Sequence, residues 1–316
     1  MSSWLFSIIE FHTMIPLFPR FAKLDLSHKK EVEKLTHLFP PYSDYNFTSL
    51  WTYDTDASIE ISLLYENLVV RFTDYMTLKP FYSFIGCHKP IQTAHTLIDH
   101  SYKTNIEHYL KLIPEDVILL DNDLSNHFKV IEDLDNHDYI ISVKDITLLP
   151  EEKYKRKKYL VDRFKRKYPT YKTHLMDLSV ASTQDEIIDL FLLWEKRNER
   201  KKEETENELI AIKRLLVHQS TLKVYALGIY HENKLIAFNL YEVTHGAYGI
   251  SAFQKADKNF TGIYAFLSHE AAKHMHSLGC RFINYEQDLG IEGLRLSKSL
   301  WKPVHYLKKY IISPKK

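Results

Sequence analysis

Cysteine and glycine are scarce in this 316-residue chain: there are two of the first, Cys87 and Cys280, and eight of the second. Two cysteines far apart, each among apolar neighbours, exclude a disulfide framework and a cysteine-based zinc site. They read as two buried free thiols. No uncharged apolar run approaches the roughly 18 residues that a membrane-spanning helix needs. The apolar start, MSSWLFSIIEFHTMIPLF, lacks a positively charged leader region and carries Glu10 and His12, so a signal peptide is not expected. Charge of one sign is missing too: 42 Lys and Arg against 41 Asp and Glu leave a net +1. Contact with a polyanion must therefore come from a local patch. The chain has no internal repeat and no Walker A, G-x-S-x-G or G-x-G-x-x-G motif. Among its 17 histidines, His269, His274 and His276 form no H-E-x-x-H and their spacings do not converge on one ion, so no metal is expected.

What remains is an ordinary globular composition, 45% hydrophobic and 26% charged, long enough for two domains with a sizeable core. The expected location is cytoplasmic, with scope for peripheral contact at a membrane surface. A charged, periodic stretch over Leu26 to Leu38 predicts a helix with Ser27 as its N-cap, ended by Pro40-Pro41. Residues 43–54, SDYNFTSLWTYD, read as a short aromatic helix or turn. Strand-like runs at 58–66, 67–75 and 80–87 suggest antiparallel hairpins. Helices near 90–103 and 114–120 and a strand at 138–146 complete the first half.

Glu151 to Tyr168, EEKYKRKKYLVDRFKRKY, is different. Nine of the sixteen residues from Lys153 to Tyr168 are Lys or Arg, while Tyr154, Val161, Phe164 and Tyr168 share one helical face. This basic amphipathic helix, placed over 151–172 with its exit, marks the boundary between domains at 1–150 and 173–316. Its charges read either as a solvated face or as a site for tRNA phosphates or anionic lipid. The second half predicts helices near 184–198, capped by Ser182 or Thr183, and 203–218. Strands follow at 223–230 and 234–243 with His231-Glu232-Asn233 as the hairpin turn, then a strand at 246–256. A helix over 261–278, a strand at 282–284, a helix over 291–299 and a last strand at 303–312 end the chain. Seven of the eight glycines lie at or after Gly228, which puts the candidate site in this half.

The order strand–strand–strand–helix–strand–helix–strand is that of a GNAT acyltransferase core. KLIAFNLYEV, GISAFQKADKNFTGIYAFLSHE and INYEQDLGIEGLRLSKSLWKPV resemble the phosphatidylglycerol lysyltransferase C-terminal-like family, as do SDYNFTSLWTYD and KYKRKKYLVDRFKRKYP. The resemblance spans roughly residues 25–312 and is most specific over Asn284 to Pro303. It implies an α/β (α+β) fold of two tandem GNAT-like domains, each a mixed, mostly antiparallel sheet flanked by helices, related to Fem-type aminoacyl transferases. It also implies transfer of an aminoacyl group from a charged tRNA to a lipid headgroup or small-molecule acceptor. No cofactor is expected to be tightly bound; aminoacyl-tRNA or acyl-CoA would be a co-substrate. Two departures bear on this. The multi-helix membrane portion of the lipid-modifying enzymes is missing, and so is an Arg/Gln-x-x-Gly-x-Gly/Ala acetyl-CoA loop; the nearest stretch, Lys255 to Gly262, keeps one glycine.

Site candidates follow from position and chemistry. Gly262 opens the helix over 261–278, where exposed N–H groups suit a phosphate or the 3′ end of an aminoacyl-tRNA; the alternative is a plain capped helix. With Phe253, Lys255, Lys258, Thr261 and Tyr264 it forms the donor-binding set. Backbone N–H groups over Ser251 to Phe253 are candidate oxyanion donors. Glu286 and Asp288 follow the strand at 282–284, where α/β sheets place ligands. Glu286 is the candidate base; Asp288 either orients substrate or caps the next helix. Asn284, Tyr285, Arg295 and Lys298 form the substrate-binding set, with Arg295 and Lys298 three apart on one helix face as anion holders. Trp194, Glu195, Arg197 and Asn198 are read as core rather than as an acceptor pocket.

Overall fold

The computed structural model describes residues 13–74, 77–121, 123–198 and 202–315; the apolar run over residues 1–12, with its reading as no signal peptide, lies outside the described residues. The strands are β1 (Ala22–Lys23), β2 (Glu60–Leu64), β3 (Asn67–Thr73), β4 (Pro80–Ile85), β5 (Leu110–Pro114), β6 (Phe128–Glu132), β7 (Asp138–Ser142), β8 (Lys172–Leu175), β9 (Tyr225–His231), β10 (Lys234–Thr244), β11 (Tyr248–Ala256), β12 (Phe282–Asn284), β13 (His305–Leu307) and β14 (Lys309–Pro314). They form two seven-stranded sheets, ordered β1-β2-β3-β4-β5-β14-β6 and β13-β7-β12-β11-β10-β9-β8. The two orders are the same pattern. A run of four antiparallel strands meets a parallel neighbour (β4 with β5, β11 with β12). Beyond it sits a strand from the other half of the chain: β14 in the first sheet and β7 in the second. This is the tandem GNAT-like α/β architecture, two mixed and mostly antiparallel sheets flanked by helices.

Local chemistry explains most elements. The β9–β10 hairpin turns on Glu232 and Asn233, both with positive φ, between the paired His231 and Lys234. That is the conformation a two-residue hairpin needs to match strand twist. The first helical segment differs from expectation at its cap. Asp25, not Ser27, is the cap: it accepts the Ser27 N–H, and His28 Nδ1 accepts the Asp25 N–H in return, so the carboxylate two residues earlier takes the role. The helix Ala181–Arg197 starts at Val180 with no side-chain cap, so neither Ser182 nor Thr183 serves. The strand expected over 138–146 stops at Ser142, whose side chain caps a short helix, Val143–Leu148. The single strand expected over 303–312 is two: β13 pairs with β7, and β14 crosses into the other sheet between β5 and β6. Cys280 is buried as expected, but Cys87 is exposed, because β4 has ended and the chain is turning toward the helix Pro90–Thr104.

One apolar core joins the two sheets. It runs from Ile61, Val70 and Phe72 of the first, through Phe47, Leu50 and Trp51 of the short helix Phe47–Thr52, to Phe238, Leu240 and Phe253 of the second. The outer face of the second sheet packs on the helix Ile263–Ser277 and on the basic helix, Glu151–Lys167. The basic helix buries Tyr154, Val161 and Phe164 as its periodicity predicts, and Phe164 stacks on Phe266 at 4.5 Å between centroids. The helix Pro90–Thr104 covers the outer face of the first sheet.

Candidate functional site

The parallel pairing of β11 with β12 lasts only from Tyr248–Phe282 to Ile250–Asn284. Past it β11 runs on to Ala256, while the chain after Asn284 leaves the sheet. Glu286 makes the departure with φ +57°, a left-handed conformation uncommon outside glycine. It is held there at both ends: its N–H donates to Asn284 Oδ1 at 2.6 Å, and its carbonyl accepts from Tyr139 N–H at 3.2 Å. Opposite, on β11, Phe253 pairs with Leu240 and Ser251 with Tyr241, leaving Ala252 as a bulge. A bulge takes the extra residue out of the ladder and re-aims its backbone. Ala252 and Glu286 each lie two residues past the last parallel pair, Ile250–Asn284, so the irregular backbone over Ser251 to Phe253 belongs to the strand beside the break.

Side chains alternate across this exit. Tyr285 turns toward Ser268 on the helix Ile263–Ser277, and burial pushes its phenol up to about 12. Asn284 and Glu286 turn the other way, toward residues 41–49. Asn284 Nδ2 donates to Pro41 O at 2.9 Å, and Ser49 Oγ donates to Glu286 Oε1 at 2.9 Å. Burial raises the Glu286 carboxyl to about 7, with Asp138 and Asp44 adding to the effect and Lys298 and Ser49 opposing it. Lys298 donates to Gln287 O, and burial lowers its own pKa against the pull of Glu286. A carboxyl poised near neutrality beside a hydroxyl and an amine is equipped to accept a proton at physiological pH.

Behind Glu286 lies a polar knot that the sequence did not single out. Lys309 is fully buried between the sheets. It donates to Asp138 Oδ1 at 2.8 Å and to Gln287 Oε1 at 2.8 Å, and forms an ion pair with Asp44. Asp138 also accepts from Ser43 N–H at 2.7 Å and from Ser43 Oγ at 2.6 Å. Burial works to lower the Lys309 pKa, but Asp138 and Asp44 carry it upward, so the ammonium is retained. The only sequence signal was an odd one: Lys309 sits among apolar residues in YLKKYII, and its partners lie in SDYNFTSLWTYD and at the head of β7. The segments at 43–54 and 284–303 therefore meet in space.

The other predicted residues have definite places. Asp288 is fully buried and accepts from Tyr139 Oη at 2.5 Å, Gly290 N–H at 2.8 Å and both prongs of Arg295 at 2.9 Å. Burial opposes ionisation there, yet Arg295 and Tyr139 hold its carboxyl below the usual range. It is not the cap of the helix Glu292–Ser299, which starts at Ile291 without a side-chain cap. Arg295 also donates to Asp135 at 2.6 Å. Lys255 is spent on Glu208 at 2.6 Å and on the Trp194 ring at 4.1 Å; Lys258 is exposed. Thr261 N–H donates to Tyr168 Oη at 3.2 Å. A Cβ on Gly262, whose φ is +87°, would lie 2.4 Å from Leu160 O, so the backbone approached there is the basic helix. Tyr264 is half-buried, its hydroxyl 3.5 Å from Ala256 O. Arg197 is exposed and pairs with Asp257, and Asn198 Nδ2 donates to Trp194 O at 2.7 Å; Trp194, Glu195 and Asn198 are only half-buried, so the four sit at the edge of the core rather than within it. Among the described residues no group of three or more His, Cys, Asp or Glu is placed to hold a metal ion.

Two sheets of the same order, each with a parallel break and a strand from the opposite half, define a tandem GNAT-like protein. Residues 95–313, more than half of the chain, match the family described as phosphatidylglycerol lysyltransferase, C-terminal, and the chain belongs to that family. No curated protein matches it. A conserved protein of unknown function from Bacteroides thetaiotaomicron VPI-5482 superposes with a TM-score of 0.83 at 25% identity, over 96% of this chain and 100% of that one. L-PGS from Bacillus licheniformis superposes with a TM-score of 0.59 at 12% identity, over 84% and 87%. FemX superposes with a TM-score of 0.59 at 9% identity, over 94% and 97%. The last two likenesses concern the fold.

Proposed function

We propose that this protein is an acyltransferase that moves an aminoacyl group from aminoacyl-tRNA to an amine or hydroxyl acceptor, a lipid headgroup or a small molecule. The observation that carries the proposal is Glu286, raised to about 7 and set two residues past the last β11–β12 pair, Ile250–Asn284, with a bulge at Ala252 in the neighbouring strand. Family membership supports the class of reaction. In the proposed step the acceptor adds to the ester carbonyl of the donor while the Glu286 carboxylate takes its proton. Backbone N–H groups at the bulge hold the developing oxyanion. The ester C–O bond then breaks, and the proton passes to the departing ribose oxygen. No tightly bound cofactor is required. Asn284 and Lys298 would position the acceptor, whereas Asp288 and Arg295 would hold the loop that presents Glu286. Tyr285, through Ser268, would fix that loop against the helix behind it.

At Gly262 the backbone packs against Leu160 O, so this glycine is not a point of approach for either donor, aminoacyl-tRNA or acyl-CoA. The test is transfer of label from a pool of aminoacyl-tRNAs, and separately from acyl-CoA, to lipid and small-molecule extracts. Transfer from aminoacyl-tRNA is the expected result. Transfer from acyl-CoA alone would replace the donor, and transfer from neither would overturn the reading.

A further inference from the structure

Each sheet has two open edges, and the edge strands differ in length. β1 has two residues, β13 three and β8 four; β6, Phe128–Glu132, has five and is the longest. It pairs with β14 along its whole length without a register shift, and among the described residues no strand lies on its other side. The ladder fixes which backbone groups are left over. Asp133 N–H donates to Lys309 O at 2.8 Å, so Lys129, Ile131 and Asp133 turn their backbone groups toward β14. Phe128, Val130 and Glu132 turn theirs outward, and the Phe128 N–H is already given to Leu124 O. That leaves the donors and acceptors of Val130 and Glu132 open among the described residues.

The side chains along this edge form a self-complementary series. Ile131 is 43% exposed, and Leu134, just past the strand, is 64% exposed. Lys129 is exposed and enters no ion pair among the described residues. Asp133 is half-buried; it accepts from Asn136 Nδ2 at 2.8 Å and has no cation within ion-pair distance among the described residues. Lys129 and Asp133 flank Ile131 on the same face of the strand. An edge without proline or bulge is commonly shielded by charge. Here the charges before and after Ile131 have opposite signs, so a second β6 running the other way meets attraction rather than repulsion.

We infer that β6 is the interface at which two copies of this chain pair, antiparallel and about a twofold axis at Ile131, so that their first sheets join into one. A twofold axis perpendicular to the sheet sets residues of the same face opposite each other, so it must pass through a residue. Centred on Val130, it would call on the Phe128 N–H, which is engaged, and would set Lys129 against Ile131. Centred on Glu132, it would bring two carboxylates face to face and set Ile131 against Asp133. Centred on Ile131, it lets Val130 of one copy and Glu132 of the other exchange both hydrogen bonds. It also lays Ile131 on its own mate and puts Lys129 opposite Asp133 on both sides of the axis. Parallel pairing in register would place like charges side by side. The pairing does not involve Glu286, so it stands or falls separately from the catalytic reading.

Sedimentation velocity of the whole chain over a concentration series tests this. A monomer–dimer equilibrium in the micromolar range is expected, weak because one strand edge buries little surface. Ile131→Lys, at an exposed position, sets two ammonium groups together on the axis and should raise the dissociation constant about tenfold or more; Lys129→Asp should do likewise. Cross-linking reads the register. In a Cys87→Ser background, needed because that thiol is exposed, Ile131→Cys should form an intermolecular disulfide under mild oxidation. Its mate across a non-hydrogen-bonded pair has its Cα about 4.5 Å away, within disulfide reach. Lys129→Cys, whose mate is Asp133, should not cross-link. A chain that stays monomeric at about 100 μM would overturn the inference. So would a dimer indifferent to Ile131→Lys, or one that Lys129→Cys cross-links as readily as Ile131→Cys.

Discussion

At the scale of single residues, Glu286 combines a strained backbone, a raised pKa and a position at a strand break. Its folded pKa of about 7 stands above the ordinary carboxyl value of 4.5. The stability it contributes is therefore complete below that ordinary value and is lost as pH rises through about 7. Activity runs the opposite way, because only the ionised form accepts a proton. The transfer rate should climb with pH to a plateau above about 7, while the melting temperature drifts down over the same interval; a pH–rate profile beside thermal melts checks both. Glu286→Gln should cost roughly 10²- to 10⁴-fold in rate and abolish the pH dependence of the rate near 7. Asp288 and Arg295 predict a different outcome. Asp288→Asn removes a buried, four-times-bonded carboxylate, so it should lower stability by about 2–4 kcal/mol in denaturant titrations as well as activity. The sequence had no means to show that Arg295 is engaged by Asp288. That pairing depends on how the Asp288–Gly290 turn folds back on the helix.

At the scale of elements, glycine poverty has structural answers. Two hairpins turn without glycine: Tyr65-Glu66 and Glu232-Asn233 take up positive φ between paired strands. Each such residue carries a cost near 1 kcal/mol. Replacing Glu232-Asn233 by Asn-Gly should therefore raise stability by about 1 kcal/mol, read as a higher denaturant midpoint with unchanged slope. Where glycine does appear, it can be indispensable. Gly262→Ala would place a methyl group against Leu160 O in a left-handed conformation. The expected loss is about 2 kcal/mol or more, with the basic helix loosened from the helix behind it and increased hydrogen exchange over residues 157–168. Long periodic elements were readable in advance because their burial repeats at one period, as in the basic helix. The short strands β5, β6 and β8, of four or five residues, were not. They are too short to establish an alternation, and their pairing partners lie far away in sequence. The division of residues 303–312 between two sheets was invisible for the same reason: both parts alternate, and only the tertiary partner differs.

At the scale of the whole molecule, the Lys309 knot and the shared apolar core bind the sheets together. Lys309 belongs to β14 in the first sheet, and its partner Asp138 to β7 in the second. Removing the ammonium leaves two buried carboxylates facing each other. Lys309→Met should thus cost about 3–5 kcal/mol. Because the core is continuous, that loss should appear as a shift of one cooperative transition seen alike by fluorescence and circular dichroism, not as the melting of one half.

The exchange of β7 and β14 has a consequence for how such a chain can change over generations. Each half holds a strand that completes the other's sheet, so the pair behaves as a single heritable unit. A copy of either half alone would present an open slot between its parallel strand and its edge, an invitation to pair with a stranger. New activities in this architecture must then arise by altering loops and pockets around an intact pair, never by discarding either half.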